Sequence, residues 1–349
     1  MDFIWGYLVA LTMTAVLFIV ISPIAKRIGL VDKPNFRKTH SNNVPLIGGI
    51  GLALSFMTSI LLFDISLKDF RLLFFCLATL LIFGVIDDYQ DTSPRKKLLV
   101  HFLIAVVLVV LDNKVVSNVG DIFGFGYPQG LSVLAIPFSI IAIIGVVNAF
   151  NMLDGTDGLA AFTAIISLLA VLFLLERSSV EGNVELKVLI TLFVLCLAVF
   201  SIFNFSGIVG SGRQIFLGDS GSTLLGLMLV FLLIHLADKD YKVVRVAVAP
   251  WIIGLPLLDM FSVMCIRLLK RRSLVIADRN HLHHILATYI PNKLFCLILL
   301  LSLHTVFVAF GLAATMLVLP DWLLFWGALV LLSIVIAVIL LAQKRLTTE

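Results

Sequence analysis

Charge is scarce in this chain. Lys, Arg, Asp and Glu make up 13% of its 349 residues, about half the ~25% carried by an ordinary soluble domain. With 61% hydrophobic residues and a mean hydropathy of +1.14, the composition argues against a soluble protein, which would have to hide apolar runs along its whole length in one giant core. Cysteine is also scarce. Cys76, Cys196, Cys265 and Cys296 all lie inside apolar runs and form no Cys-x-x-Cys pair, so neither a disulfide framework nor a thiolate metal site is expected. The N-terminus lacks a basic leader and a small-x-small cleavage site. Its apolar run, Phe3 to Ile21, is too long for a secretory signal and is expected to remain as a first span. Repeats, low-complexity tracts and soluble linkers are absent too, so residues 1–349 are read as one domain, and no nucleic acid partner is indicated.

What the chain has instead is a succession of apolar runs of roughly 18 residues or more, enough to cross a ~30 Å hydrocarbon core. An all-α polytopic membrane protein with eleven spans is expected, at about 3–25, 46–63, 70–86, 98–112, 131–150, 158–175, 187–204, 216–236, 246–266, 294–314 and 322–342. Of the 25 Lys and Arg, 17 fall after odd-numbered spans and 8 after even ones. Basic residues mark the cytoplasmic side, which places the N-terminus in the periplasm and the C-terminus in the cytoplasm. Five polar groups then share the cytoplasmic side: Asp87, Asp88 and Asp91; Asn148 to Asp157; Asp219; Asp259; and Asp278 to His284. The positive-inside bias explains bases but not carboxylates, and ionisable groups near membrane depth are costly enough to mark function.

Asn148, Asn151, Asp154 and Asp157 are spaced three apart in NAFNMLDGTDG. On a regular helix each step of three lags by about 60°, so the four sweep half the circumference unless the helix opens. Gly155 and Gly158 permit such an opening, which would line a pocket with amides and carboxylates; a capped polar turn is the plainer alternative. In IDDYQD, Asp87 and Asp91 are i,i+4 and share a face with Asp88 nearby. An oxygen-only set of this kind suits Mg²⁺ or Mn²⁺ bridged through substrate phosphates, against a solvated acidic loop. The neighbouring Arg95–Lys97 run reads first as a membrane anchor and second as a phosphate contact. Asp219, between Gly218 and Gly221 at a helix start, could hold a metal beside an anion on the helix N-terminus, or merely cap the helix with Ser220 and Ser222. DRNHLHH, 278–284, could be a transition-metal tract. However, no cysteine lies nearby and Arg279 would repel a cation, so phosphate and sugar hydroxyls suit Arg279, His281, His283 and His284 better.

Carboxylates for a hard metal, bases for phosphates and a lipid-facing scaffold together suggest phosphoryl transfer to a membrane-embedded acceptor. In these motifs, and in GLVDKPNFRKTH (29–40) with PLIGGI (45–50), the chain resembles the polyprenyl-phosphate N-acetylhexosamine-1-phosphate transferase family over about residues 25–290. The DRxHxHH and VDKPNFRKxH patterns resemble the branch that starts O-antigen and enterobacterial common antigen synthesis more than the branch that makes the first peptidoglycan lipid intermediate. Thr156 and Leu282 depart from the usual larger or branched apolar residues without touching a chemical group.

The resemblance implies a reaction of UDP-GlcNAc with undecaprenyl phosphate giving GlcNAc-diphospho-undecaprenol and UMP, dependent on Mg²⁺ or Mn²⁺, at the bacterial inner membrane. It further implies Asp219 and Asn151 as metal ligands and Asp87 and Asp88 as the catalytic pair near the acceptor. Asp154 and Asp157 would serve the nucleotide sugar, with Asn148, Asp91, Arg279, His281, His283 and His284 as substrate contacts. A homodimer stays open. By analogy Asp87 is the base that deprotonates the acceptor phosphate. A phosphate monoester with a second pKa of about 6 is already mostly ionised near neutral pH, so Asp87 is expected to align metal or acceptor instead. A lipid groove between spans is also required. The rival class, a cation-coupled transporter, would place its polar groups near the bilayer midplane in repeat-related helices.

Overall fold

The structure, a computed structural model, describes residues 3–32, 43–178, 183–210, 212–238, 242–273 and 281–348. Its helices are α1 Phe3–Ile28, α2 Gly48–Ile60, α3 Arg71–Gln90, α4 Pro94–Val106, α5 Ala135–Leu153, α6 Leu159–Arg177, α7 Val184–Asn204, α8 Ser206–Val209, α9 Gly218–Ala237, α10 Ala249–Ile252, α11 Gly254–Leu269, α12 Leu282–Tyr289, α13 Lys293–Met316 and α14 Asp321–Thr348. Eight of the described helical stretches are long and apolar enough to cross a membrane, which makes this a multi-pass membrane protein. The other three expected spans are also helical but shorter or interrupted. α2 has 13 residues, α4 runs on as a wider π-type turn over Val107–Leu111, and the ninth span breaks at Ile253 between α10 and α11.

α9 is the axis of the molecule. Nearly every residue from Gly218 to Leu236 is buried, as a helix that is apolar all round must be. It packs against α2, α3, α5 and α6. Its first turns are built from Ser220, Gly221, Ser222, Thr223 and Gly226, small residues that let neighbouring backbones approach closely. α14, by contrast, leaves most of its apolar surface outward, where lipid would cover it.

A small β-like junction sets the entry to α9. β1 (Val31–Asp32) pairs antiparallel with β2 (Val44–Pro45). Phe216 N–H donates to Pro45 O at 2.9 Å, and Gly48 N–H donates to Phe216 O at 2.9 Å. The PLIGGI and FLGDSG segments, far apart in sequence, are thereby laid side by side at one end of the bundle.

Candidate active site

Asp88 reaches from the last turn of α3 to the first turn of α9. Its oxygens accept from Asp219 N at 2.7 Å, Ser220 N at 3.2 Å and Ser220 Oγ at 2.7 Å. It therefore caps α9 from outside, satisfying backbone donors that a helix start leaves unpaired. The approach depends on Gly84, where an added Cβ would lie 2.3 Å from Ser220 Cα.

One turn away, Lys97 from α4 places Nζ 2.5 Å from both Asp87 Oδ2 and Asp219 Oδ2. Burial alone would lower the Lys97 ammonium, but Asp219 and Asp87 hold it above the usual lysine range. Asp87 is buried, and its second oxygen accepts from Thr92 N at 2.8 Å and Thr92 Oγ1 at 2.5 Å. Asp219 Oδ1 accepts from Asn151 Nδ2 at 3.0 Å, and the same amide donates to Ser222 Oγ at 3.0 Å. Asp87, Asp88, Asn151, Asp219 and Lys97 thus form one connected network.

The helix opening expected from the threefold spacing is present. α5 ends at Leu153, Asp154 leaves helical geometry, and Gly158 takes φ +80° before α6 begins. Asp154 consequently sits among the carboxylates rather than across the helix from them. Burial, then the charges of Asp219, Asp88 and Asp157, raises its carboxyl well above the ordinary range. Gly155 supports the ring of His283, and a Cβ there would meet His283 Nε2 at 2.3 Å. His283 is buried with neither ring nitrogen hydrogen-bonded; burial, then His284, lowers it to about 3. Its ring lies 5.6 Å from that of His281 and 4.2 Å from that of His284. Asn148 donates to Ile144 O at 2.7 Å and lies 3.2 Å from His101 Nδ1 of α4.

Part of this cluster lines one end of a cavity of roughly 1420 Å³, from whose lining Asp87, Asp88 and Asp219 are absent. Asp91, Lys97, Asn148, Asn151, Asp154 and His283 are at that end, and apolar residues such as Phe138, Ile141, Leu233, Ile253 and Leu257 line the rest. The cavity follows α5 along most of its length, ~28 Å for 19 residues at 1.5 Å each. Asp157 is not among its lining residues. Asp278 and Arg279 lie outside the described residues, as do positions 33–42.

The glycosyl transferase family 4 model matches residues 70–237, the stretch that supplies all of this network. The undecaprenyl-phosphate alpha-N-acetylglucosaminyl 1-phosphate transferase of Pasteurella multocida (strain Pm70) is 35% identical over 311 residues, covering 88% of this chain and 85% of that protein. The enzymes of the same name from Salmonella typhi and Escherichia coli O157:H7 are 31% identical over 297 residues and 30% over 279; they cover 82% and 79% of this chain and 77% and 75% of their own lengths. The chain belongs to this sugar-1-phosphate transferase family.

In this transferase Lys97 stands where a cation is needed, between two carboxylates that would otherwise repel. The reading of Arg95–Lys97 as chiefly a membrane anchor is thus corrected for Lys97, whose two carboxylate partners no local pattern in the sequence signals. A divalent ion fits the same corner chemically. Asp219 offers a carboxylate, and Asn151 an amide oxygen if its side chain is turned, the O/N assignment being set by the hydrogen-bond network; hard cations take such oxygens. Among the described residues no three carboxylate, imidazole or thiol side chains are grouped to hold a metal unaided, so substrate phosphates or water would complete the set.

Proposed function

We propose that this transferase moves GlcNAc-1-phosphate from UDP-GlcNAc to undecaprenyl phosphate, forming GlcNAc-diphospho-undecaprenol and UMP as the first lipid-linked step of an O-antigen or enterobacterial common antigen type glycan. The observation that carries this reading is the meeting of a carboxylate, amide, lysine and histidine cluster with one end of a long apolar cavity. A reaction that joins a water-soluble diphosphate to a polyprenyl anchor needs both on one path. The names of the relatives support the identity of the two substrates. An acceptor phosphate oxygen attacks the sugar-bearing phosphorus of UDP-GlcNAc, and the bond to the UMP oxygen breaks with its electron pair. Two anions must be brought together, so positioning and positive charge matter more than proton removal.

Lys97 supplies one such charge. Asp219 and Asn151 would hold Mg²⁺ or Mn²⁺, which when bound neutralises the donor's diphosphate. Both Asp87 oxygens are already engaged, which supports an aligning role over that of a base. His281, His283 and His284, with Arg279, would meet the donor's phosphates and sugar; Asp154 and Asp157 would serve the nucleotide sugar, and Asn148 and Asp91 the cavity wall between donor and acceptor. Eleven spans, a periplasmic N-terminus and a cytoplasmic C-terminus complete the proposal, supported by the Lys and Arg bias and putting the chemistry at the cytoplasmic face of the inner membrane. Purified protein in detergent, given labelled UDP-GlcNAc, undecaprenyl phosphate and Mg²⁺, should release UMP and form a diphospholipid. No UMP release overturns the reading; UMP release only with UDP-MurNAc-pentapeptide reassigns the chain to peptidoglycan precursor synthesis.

A further inference from the structure

Asp259 has no part in the chemistry above, yet it is among the most deeply buried carboxylates of the molecule, 1% exposed within α11. An acidic side chain in an apolar helix is costly unless its oxygens are satisfied. Both are. Oδ2 lies 2.7 Å from His281 Nδ1, and Oδ1 accepts from Leu282 N at 2.7 Å. The carboxylate therefore grips the start of α12 twice, once by side chain and once by backbone.

The imidazole contact has a chemical consequence. A carboxylate that already accepts from a backbone N–H can only accept from the ring, so His281 Nδ1 must carry the hydrogen. That leaves Nε2 as the nitrogen available to the cavity His281 lines. The His281 ring in turn stacks at 19° on that of His283, which rests on Gly155 in the turn after α5. A line of contact thus runs from Asp259 through His281 and His283 to the DGTDG turn.

We propose that Asp259 is a positioning residue of the donor site, setting the tautomer and orientation of His281 and, through it, the row of histidines that faces the nucleotide sugar. This rests on the transferase reading above and deepens it. Asp259→Asn is the discriminating variant. Its oxygen can still accept from Leu282 N, but its amide N–H₂ then faces His281 and forces the hydrogen onto Nε2. The full-length protein in detergent should keep its melting midpoint and its KM for undecaprenyl phosphate, while kcat/KM for UDP-GlcNAc falls about 10–100-fold, the usual range for a group that orients another ligand. In a His281→Ala background the same substitution should cost almost nothing more, because the two act as one unit. Asp259→Glu, which keeps the charge on a longer arm, serves with the same readouts should the Asn variant fail to fold.

Losses that multiply in the double variant, or that fall equally on both substrates, overturn the proposal. One readout does not depend on turnover. In ¹⁵N-histidine-labelled protein, with His281 assigned by comparison with His281→Ala, the protonated nitrogen should move from Nδ1 to Nε2 in Asp259→Asn. If it does not move, the pairing is refuted even in an active enzyme. If it moves in a protein that never uses UDP-GlcNAc, the pairing stands and the proposed reaction falls.

Discussion

Lys97 bridges Asp87 and Asp219 at 2.5 Å to each, and removing it leaves two carboxylates facing one another. Breaking such a pair costs about 3 kcal/mol, the low end of the range for buried pairs, because the Lys97 side chain is itself 26% exposed. Lys97→Ala is therefore expected to lower the melting midpoint and to cut turnover by about 10²–10³, as loss of a preorganised charge-stabilising donor does. Turnover within a few-fold of the native enzyme would return Lys97 to the status of an anchor. His283 gives a pH dependence. Burial, then His284, holds it down at about 3, below the ordinary 6.5. Its neutral form is thus the folded form, and its contribution to stability is complete above pH 6.5 and is lost as pH falls toward 3. Asp154, raised by burial and by its acidic neighbours, has the opposite sign; its contribution is complete at low pH and is lost as pH rises through its elevated value. Melting followed from pH 7 to 4 should therefore be less acid-sensitive in His283→Gln than in the native protein, by up to ~1.4 kcal/mol per pH unit. Equal acid slopes in the two proteins would mean that His283 is not held neutral by the fold.

At the scale of elements, the contact between α3 and α9 carries the site. Asp88 can cap α9 only because Gly84 lets the two helices close to backbone distance. Gly84→Ala inserts a methyl group 2.3 Å from Ser220 Cα. The overpacking should cost about 1–3 kcal/mol. Because the shift falls on Asp88 and the Asp219 backbone, activity should drop more than the lost stability explains. A variant that melts normally and turns over normally would show that the helices have slack at this crossing. The break between α5 and α6 is the other decisive element. It brings Asn148, Asn151 and Asp154, three of the four polar residues that a continuous helix would splay over half its circumference, onto one cavity wall, with Asp154 released toward Asp219.

Across the whole molecule, the cavity ties the polar site to the apolar interior. Gly145 lies midway along α5 in its wall, and a Cβ there would meet only Met260 Cε, at 3.8 Å. Gly145→Phe should therefore fold, since the new ring has room and glycine is a poor helix residue. The ring would project into the apolar path while leaving the polar end untouched. The expected result is at least a tenfold rise in KM for undecaprenyl phosphate, with KM for UDP-GlcNAc unchanged and a short-chain polyprenyl phosphate largely spared. Equal effects on long and short acceptors would mean that the polyprenyl chain lies elsewhere.

Long apolar runs, sparse charge and the periodic return of polar motifs were legible along the chain because a membrane span is a local property, decided by about 20 consecutive residues against one solvent. The helix opening at Asp154 to Gly158 was legible for the same reason, from spacing and glycine alone, and eight of the expected spans fall on described helices long and apolar enough to cross a membrane. Contacts between residues far apart in sequence were not legible. Lys97 looked like an anchor and Asp259 like one more acidic residue, because nothing near them in sequence names a partner 122 or 22 positions away. That Asp88's oxygens cap α9 was equally out of reach of the sequence, since their donors lie 131 and 132 positions away. Where ionisable groups sit in a medium that cannot solvate them, only a partner brought from elsewhere in the chain makes them affordable, and the choice of that partner belongs to the tertiary structure.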